Sequence, residues 1–149
     1  MKKPIYIMIH HSAVSVLANP DQFNANNRYH KKLWSFRSSL GFCLGYNYEI
    51  NEVGYVYKAR VPGERTAACY QKQMNDGRCV HICLDGNFEI ENPAPNQIYA
   101  LRDLLREIAF KFMIPAENIV FHKDYSNTLC PGINMDLKFI RTLINDRPK

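Results

Sequence analysis

The chain opens with an uninterrupted apolar run, Ile5-Tyr6-Ile7-Met8-Ile9, that stops at His10. A stretch rich in β-formers and without polar alternation reads as a strand buried on both faces. Asn19-Pro20-Asp21 punctuates the next segment, and a polar stretch from about Gln22 to Leu40, with Phe23, Tyr29, Leu33 and Trp34 as apolar positions, predicts a helix ending before Gly41. Tyr46 to Asn51 and Tyr55 to Arg60 are strand-like runs joined by Asn51-Glu52-Val53-Gly54, which favours a hairpin. Cys79 to Leu84 supplies another short buried strand.

From Asn96 to Met113 the apolar positions Ile98, Leu101, Leu105, Ile108 and Phe112 recur at intervals of 3, 4, 3 and 4, the spacing of a helix with one face against a sheet. Pro115 stops it, Ile119 to Phe121 form a last short strand, and Asn134 is placed to cap a final helix carrying Leu137, Ile140, Leu143 and Ile144. No Gly/Ser linker, repeat or low-complexity tract breaks the chain. The pattern predicts one α/β domain over 1–149, a central mixed β-sheet flanked by helices, with no separate second domain.

Composition narrows this further. A chain of 149 residues that is 46% hydrophobic and 22% charged, with 8 Phe and 9 Tyr besides Trp34, can bury a sizeable core, which excludes disorder and collagen-like structure. Ile5 to Ile9 is far shorter than the roughly 18 residues of a membrane span or the about 7 to 15 of a signal-peptide core, so neither is expected. The net charge of +5 is spread along the sequence. Nucleic acid is not expected as a partner on so modest and scattered an excess, which would equally suit another anionic polymer. Cys43, Cys69, Cys79, Cys83 and Cys130 are an odd number, which leaves at least one thiol unpaired and makes a reduced compartment the simpler reading.

His10 ends the first strand, and His122 follows the last strand, with Cys130 seven intervening residues later. Strand ends are where sheets place ligands. Two imidazoles and a thiolate suit zinc, and three protein ligands leave a fourth tetrahedral position open, as in a catalytic site. Spacing alone leaves a second reading open, in which both histidines are ordinary hydrogen-bonded residues and Cys130 is a buried apolar thiol. Neither His-x-Glu nor Pro-Cys-x-x-Cys occurs, which argues against a zinc nucleobase deaminase.

Four stretches in order, Ile9-His10-His11-Ser12-Ala13, Leu44-Gly45-Tyr46-Asn47-Tyr48, Ile82-Cys83-Leu84-Asp85-Gly86-Asn87-Phe88, and His122-Lys123-Asp124 through Thr128-Leu129-Cys130-Pro131-Gly132, resemble the zinc-dependent N-acetylmuramoyl-L-alanine amidases, the family of phage amidase-type lysozymes and peptidoglycan recognition proteins. The resemblance covers nearly the whole chain and implies that family's fold. It implies His10, His122 and Cys130 as zinc ligands, Tyr46 as the active-site tyrosine, and Thr128 at a position that is lysine in some amidases. His11 then points to the other side of the strand, in a structural role. The chemistry agrees: an amide is a poor electrophile, and zinc lowers the pKa of bound water to about 7 and polarises the carbonyl. Tyr46, protonated at neutral pH, suits hydrogen-bond donation to the oxyanion or leaving amine, and Thr128 adds a second donor.

Lys123 and Asp124 resemble the basic residue and aspartate that follow the second ligand, with Asp124 accepting backbone N–H bonds or standing as a solvated loop charge. His30, in Arg28-Tyr29-His30-Lys31, resembles a Trp-His-Lys run and reads as helix surface or groove wall; Cys79, His81 and Cys83 read as one core strand. Two departures stand out. The family's Gly-Ala-His run after the hairpin is replaced by Glu64-Arg65-Thr66-Ala67-Ala68-Cys69-Tyr70, where Arg65 or Tyr70 is the substitute for substrate contact. The short-range disulfide usual in animal recognition proteins has only Cys43 available, which favours a phage or bacterial chain. The expected activity is cleavage of the bond between N-acetylmuramic acid and L-alanine in peptidoglycan, by a phage endolysin held in the host cytoplasm before release. The alternatives are a bacterial recycling or remodelling amidase and a binding module that no longer cleaves. Some phage amidases also bind the phage RNA polymerase; no motif here supports that contact.

Overall fold

The computed structural model describes residues 1–145. The first apolar run becomes β1 (Tyr6–His11), which continues through His10 and includes His11. It lies between two parallel neighbours, β4 (Cys79–Leu84) and β5 (Ile119–Phe121). The predicted hairpin is β2 (Tyr48–Ile50) and β3 (Val56–Lys58), antiparallel to each other, with β2 parallel to β4. The five-stranded sheet has the order β3-β2-β4-β1-β5. Both faces of β1 are covered by packed side chains, which is why it carries no polar alternation until it reaches its end.

Alternation along the strands sorts side chains onto two faces. Ile7 and Ile9, Val80 and Ile82, and Ile119 and Phe121 share one apolar core with Leu101, Leu105 and Ile108 of α2 (Pro95–Phe112) and Ile140 of α3 (Leu137–Thr142). Fully burying one such side chain contributes about 1.5 to 3 kcal/mol. Met8, Cys79 and Val120 face the opposite way, in a separate cluster with Met74. His10 and His81 belong to that second face, two residues along from Met8 and Cys79.

Helix boundaries differ from those predicted: α2 is displaced by one residue, α3 stops at Thr142, short of Leu143 and Ile144, and the start of α3 and the end of the first helix have identifiable causes. The first helix, α1, spans Phe23–Trp34 and stops at Ser35, whose backbone is left-handed (φ 50°). The buried guanidinium of Arg60 takes the carbonyl of Phe36 (2.6 Å) as an acceptor, which a helix continuing to Leu40 would keep for itself, and also binds the carbonyl of Leu44 (2.7 Å) beyond it. At the C-terminal end the cap is Asp136, whose carboxylate accepts from the Lys138 N–H (3.0 Å). Asn134 is occupied elsewhere, its N–H on the Phe88 carbonyl and its side-chain amide on that of Glu91.

Candidate metal centre and active site

Neighbouring parallel strands bring the predicted ligands together. His10 projects from the end of β1, and His122 begins a short turn, His122–Asp124, directly after β5. Two backbone contacts shape that turn: Asp124 Oδ2 accepts from the Phe121 N–H (2.9 Å), and the Lys123 N–H reaches the carbonyl of Cys130 (2.9 Å). The second contact folds the Cys130 loop back beside His122. Gly132 lets the loop settle, because its φ is +102° and an added Cβ would lie 2.5 Å from the Phe88 carbonyl carbon.

Nδ1 of His10 lies 3.2 Å from Nδ1 of His122 and 3.9 Å from Sγ of Cys130. The three donor atoms all lie within 4.8 Å of one another. Bond lengths of about 2.0 to 2.3 Å around a tetrahedral zinc separate its ligand atoms by roughly 3.3 to 3.6 Å, so this constellation suits such an ion with small adjustment. Burial lowers the pKa of His10 and His122, which keeps the imidazoles neutral and able to coordinate. Burial pushes the Cys130 thiol up to about 12, opposed by the His11 N–H that donates to Sγ at 3.3 Å. Among the described residues no cationic side chain offsets that burial, so a thiolate here calls for a metal charge.

His11 points away from this cluster, as strand alternation requires. Its Nδ1 accepts from the Phe88 N–H (3.1 Å), which ties β1 to the Gly86–Phe88 turn.

The Tyr46 ring packs 4.9 Å from the His10 ring. Burial, reinforced by Cys83, Cys130 and Glu49, holds its pKa well above the ordinary tyrosine value, so the hydroxyl is a proton carrier throughout the neutral range. Three contacts hold the tyrosine's segment in place. The Gly45 N–H donates to His30 Nδ1 (2.8 Å), the Ala67 N–H donates to Gly45 O (3.1 Å), and Asn47 exchanges backbone and side-chain bonds with His81. His30 is thus a strut from α1, its ring tilted against that of Trp34 (4.5 Å between centroids), holding the loop that carries Tyr46. A Cβ at position 45 would lie 2.5 Å from Ala67 O, so only glycine allows that approach.

Thr128 Oγ1 accepts from the Cys130 N–H (3.2 Å), which leaves the hydroxyl proton free to donate. Tyr70 is 92% exposed. The residues flanking it bind the loop that leads to Cys130, through Cys69 Sγ to Ser126 Oγ (3.4 Å) and Gln71 Nε2 to Tyr125 O (2.7 Å). Arg65 is directed elsewhere, over the Phe36 ring (5.2 Å) in a hollow lined by Lys2, Glu64 and Asp76. His81 reads from the sequence only as strand core, yet its Nδ1 is 2.8 Å from Nε2 of His10. The available signal is a titratable residue in the middle of an otherwise apolar strand.

Residues 1–133 match the family model described as N-acetylmuramoyl-L-alanine amidase. The chain belongs to this amidase family. The peptidoglycan recognition protein 1 of Rattus norvegicus is 28% identical over 138 residues, covering 89% of this chain and 72% of that protein. Among solved structures, the endolysin N-acetylmuramoyl-L-alanine amidase LysCS from Clostridium intestinale is similar at 26% identity with a TM-score of 0.78, covering 97% of this chain and 86% of the other. Drosophila PGRP-LB, at 24% identity and a TM-score of 0.72 over 89% of this chain and 77% of its own, shares the fold. The single-domain α/β architecture is therefore that of amidases and peptidoglycan recognition proteins alike.

Proposed function

We propose that the protein is a zinc-dependent hydrolase of the amide bond between the lactyl group of N-acetylmuramic acid and the L-alanine of the stem peptide in peptidoglycan, and that it serves as a phage endolysin. The observation that carries the reading is the convergence of His10 Nδ1, His122 Nδ1 and Cys130 Sγ at adjoining strand ends, with Tyr46 against the first of them. Zinc held by these three side chains would supply a Lewis acid and a nucleophile usable at neutral pH.

The remaining work falls to the chain. Tyr46 keeps its proton and donates it as a hydrogen bond to the oxyanion formed when the amide carbonyl is attacked, or to the departing amine. Thr128, its oxygen anchored on the Cys130 N–H, directs a second donor toward the same region. Asp124 keeps the His122 turn closed through the Phe121 N–H. Tyr70, on the rim, offers a flat face for the glycan or peptide, and Arg65 is a more remote site for a stem-peptide carboxylate. The net charge of +5 favours approach to an anionic wall. Likeness to a solved endolysin supports the phage role; no helix among the described residues is long and apolar enough to cross a membrane.

A second reading, a recognition module that binds without cleaving, is favoured by the rat relative's name. Digestion of purified peptidoglycan with and without a chelator, followed by mass spectrometry for stem peptides with a free L-alanine amine, separates the two. Metal-dependent release of such peptides is expected. Stable wall binding with no new amines, despite bound zinc, would replace the hydrolase with the recognition module.

A further inference from the structure

His81 sits on β4 opposite Met8 and diagonal to His10, with no exposed surface. Its backbone is held from both directions by Asn47, whose Oδ1 accepts from the His81 N–H (2.7 Å) and whose N–H donates to the His81 carbonyl (3.0 Å). The imidazole is equally committed. Nε2 lies 2.6 Å from the carbonyl oxygen of Met74, and Nδ1 lies 2.8 Å from Nε2 of His10.

These two contacts leave one arrangement of protons. A carbonyl oxygen can only accept, so His81 Nε2 carries the hydrogen. A neutral imidazole has one N–H, so His81 Nδ1 is a bare acceptor and His10 Nε2 must be the donor to it. His10 then has its lone pair on Nδ1, the atom 3.2 Å from His122 Nδ1 and 3.9 Å from Cys130 Sγ. The opposite tautomer of His81 would set a ring lone pair against a carbonyl lone pair at 2.6 Å in a site closed to water.

From this chain of contacts we infer that His81 is a positioning residue: it relays the Met74 carbonyl to His10, fixing His10 as its Nε2–H tautomer with Nδ1 presented to the metal. The inference rests on the proposed His10-His122-Cys130 zinc site, but the tautomers it assigns are set without the metal. The relay also ties the ligand to the Thr66–Asn75 loop. That loop is braced by Asn75 Oδ1, which accepts from the Ala68 and Cys69 N–H groups (3.0 and 3.1 Å). A partner on the far nitrogen of a ligating histidine sets both ring orientation and basicity, and its loss typically costs 10- to 100-fold in metal affinity.

The test has two arms. Long-range proton–nitrogen correlation spectra of histidine-labelled, metal-free protein read the tautomers directly, with Nε2–H expected for both His81 and His10. A His10 found as Nδ1–H overturns the relay. The second arm measures zinc affinity by chelator competition in two variants of similar size. In His81→Asn an acceptor remains near the Nδ1 position, so affinity should stay within about threefold of the parent. In His81→Gln a donor remains near Nε2 but the acceptor facing His10 is gone, so affinity should fall roughly 10- to 100-fold. Equal losses in both variants, or none in either, would make His81 a packing residue. If a variant fails to fold, the spectra of the parent still decide. A parent that shows the assigned tautomers yet binds no stoichiometric zinc would sink the zinc site and leave the relay standing.

Discussion

The two faces of the sheet are buried to a similar degree and are built on opposite principles. On the α2 side, Ile7, Ile9, Val80, Ile82, Ile119 and Phe121 meet only other apolar groups, and area removed from water holds them. On the other side, Glu49, Cys83 and His10 lie in one register row across β2, β4 and β1, with His81 a step below and His122 beyond β5. Glu49, His10 and His81 are each fully buried, as is Asp85 just after β4. Burying such groups costs several kcal/mol apiece unless each finds a partner. The imidazoles on this face are paired, histidine to histidine and imidazole to carbonyl, while Glu49 Oε2 and Asp85 Oδ1 are left without a partner. The first face is held by burial alone, and the second is stable only as far as its buried polar groups find partners.

Substitutions on either face put that contrast to the test. The largest effect is expected for Cys130→Ala, which should reduce zinc-dependent turnover to background while the circular dichroism spectrum and cooperative unfolding persist; full activity would remove Cys130 from the ligand set. Tyr46→Phe should retain zinc and lose about 10²- to 10³-fold in turnover, the scale of one lost oxyanion donor. Zinc loss in that variant, measured by elemental analysis, would make the tyrosine structural. Leu105→Ala, on the opposite face, should cost about 2 to 5 kcal/mol in denaturant unfolding and leave zinc affinity of the folded protein unchanged.

The polar face should also make stability depend on pH. Glu49 Oε2 and Asp85 Oδ1 are both buried with no hydrogen-bond partner, and a proton retained between these two neighbouring carboxyl groups would satisfy both. Burial and then Asp85 raise Glu49 to about 9. A folded pKa above the unfolded value means that the native state binds the extra proton. Its stabilisation is complete below the ordinary carboxylate range and is lost as pH rises toward about 9. The buried histidines act in the other direction and only below their unperturbed value near 6.5. Between pH 7 and 9 the thermal midpoint should therefore fall, and Glu49→Gln, which keeps a donor for Asp85, should flatten that slope. An unchanged slope would place the proton elsewhere. The smallest effect is expected from Asp136→Ala, at about 1 kcal/mol for a lost helix cap.

Much of this molecule is legible from local pattern. The doubly buried β1, the face of α2 and the stop at Pro115 each follow from periodicity or backbone chemistry within a few residues. That His10, His122 and Cys130 come together is legible too, because donor types at strand ends, in a familiar order, carry their meaning along the chain. The end of α1 is not, since it depends on Arg60 reaching back from the hairpin for the Phe36 carbonyl, which a helical pattern would assign to itself. The cap of α3 falls on Asp136 and not on Asn134, because Asn134 is engaged by residues 88 and 91, more than forty positions away.

His81 shows the division most sharply. Its place on a buried strand is written in the sequence, and so is its alternation with Cys79 and Cys83. That its ring spans from Met74 O to His10 Nε2 depends on the register between β1 and β4 and on a turn folded over their ends. Hydrophobic periodicity determines which way a side chain points. Only the tertiary structure decides what it meets there, because a hydrogen bond is settled by distances of a few tenths of an ångström between segments that the sequence holds far apart.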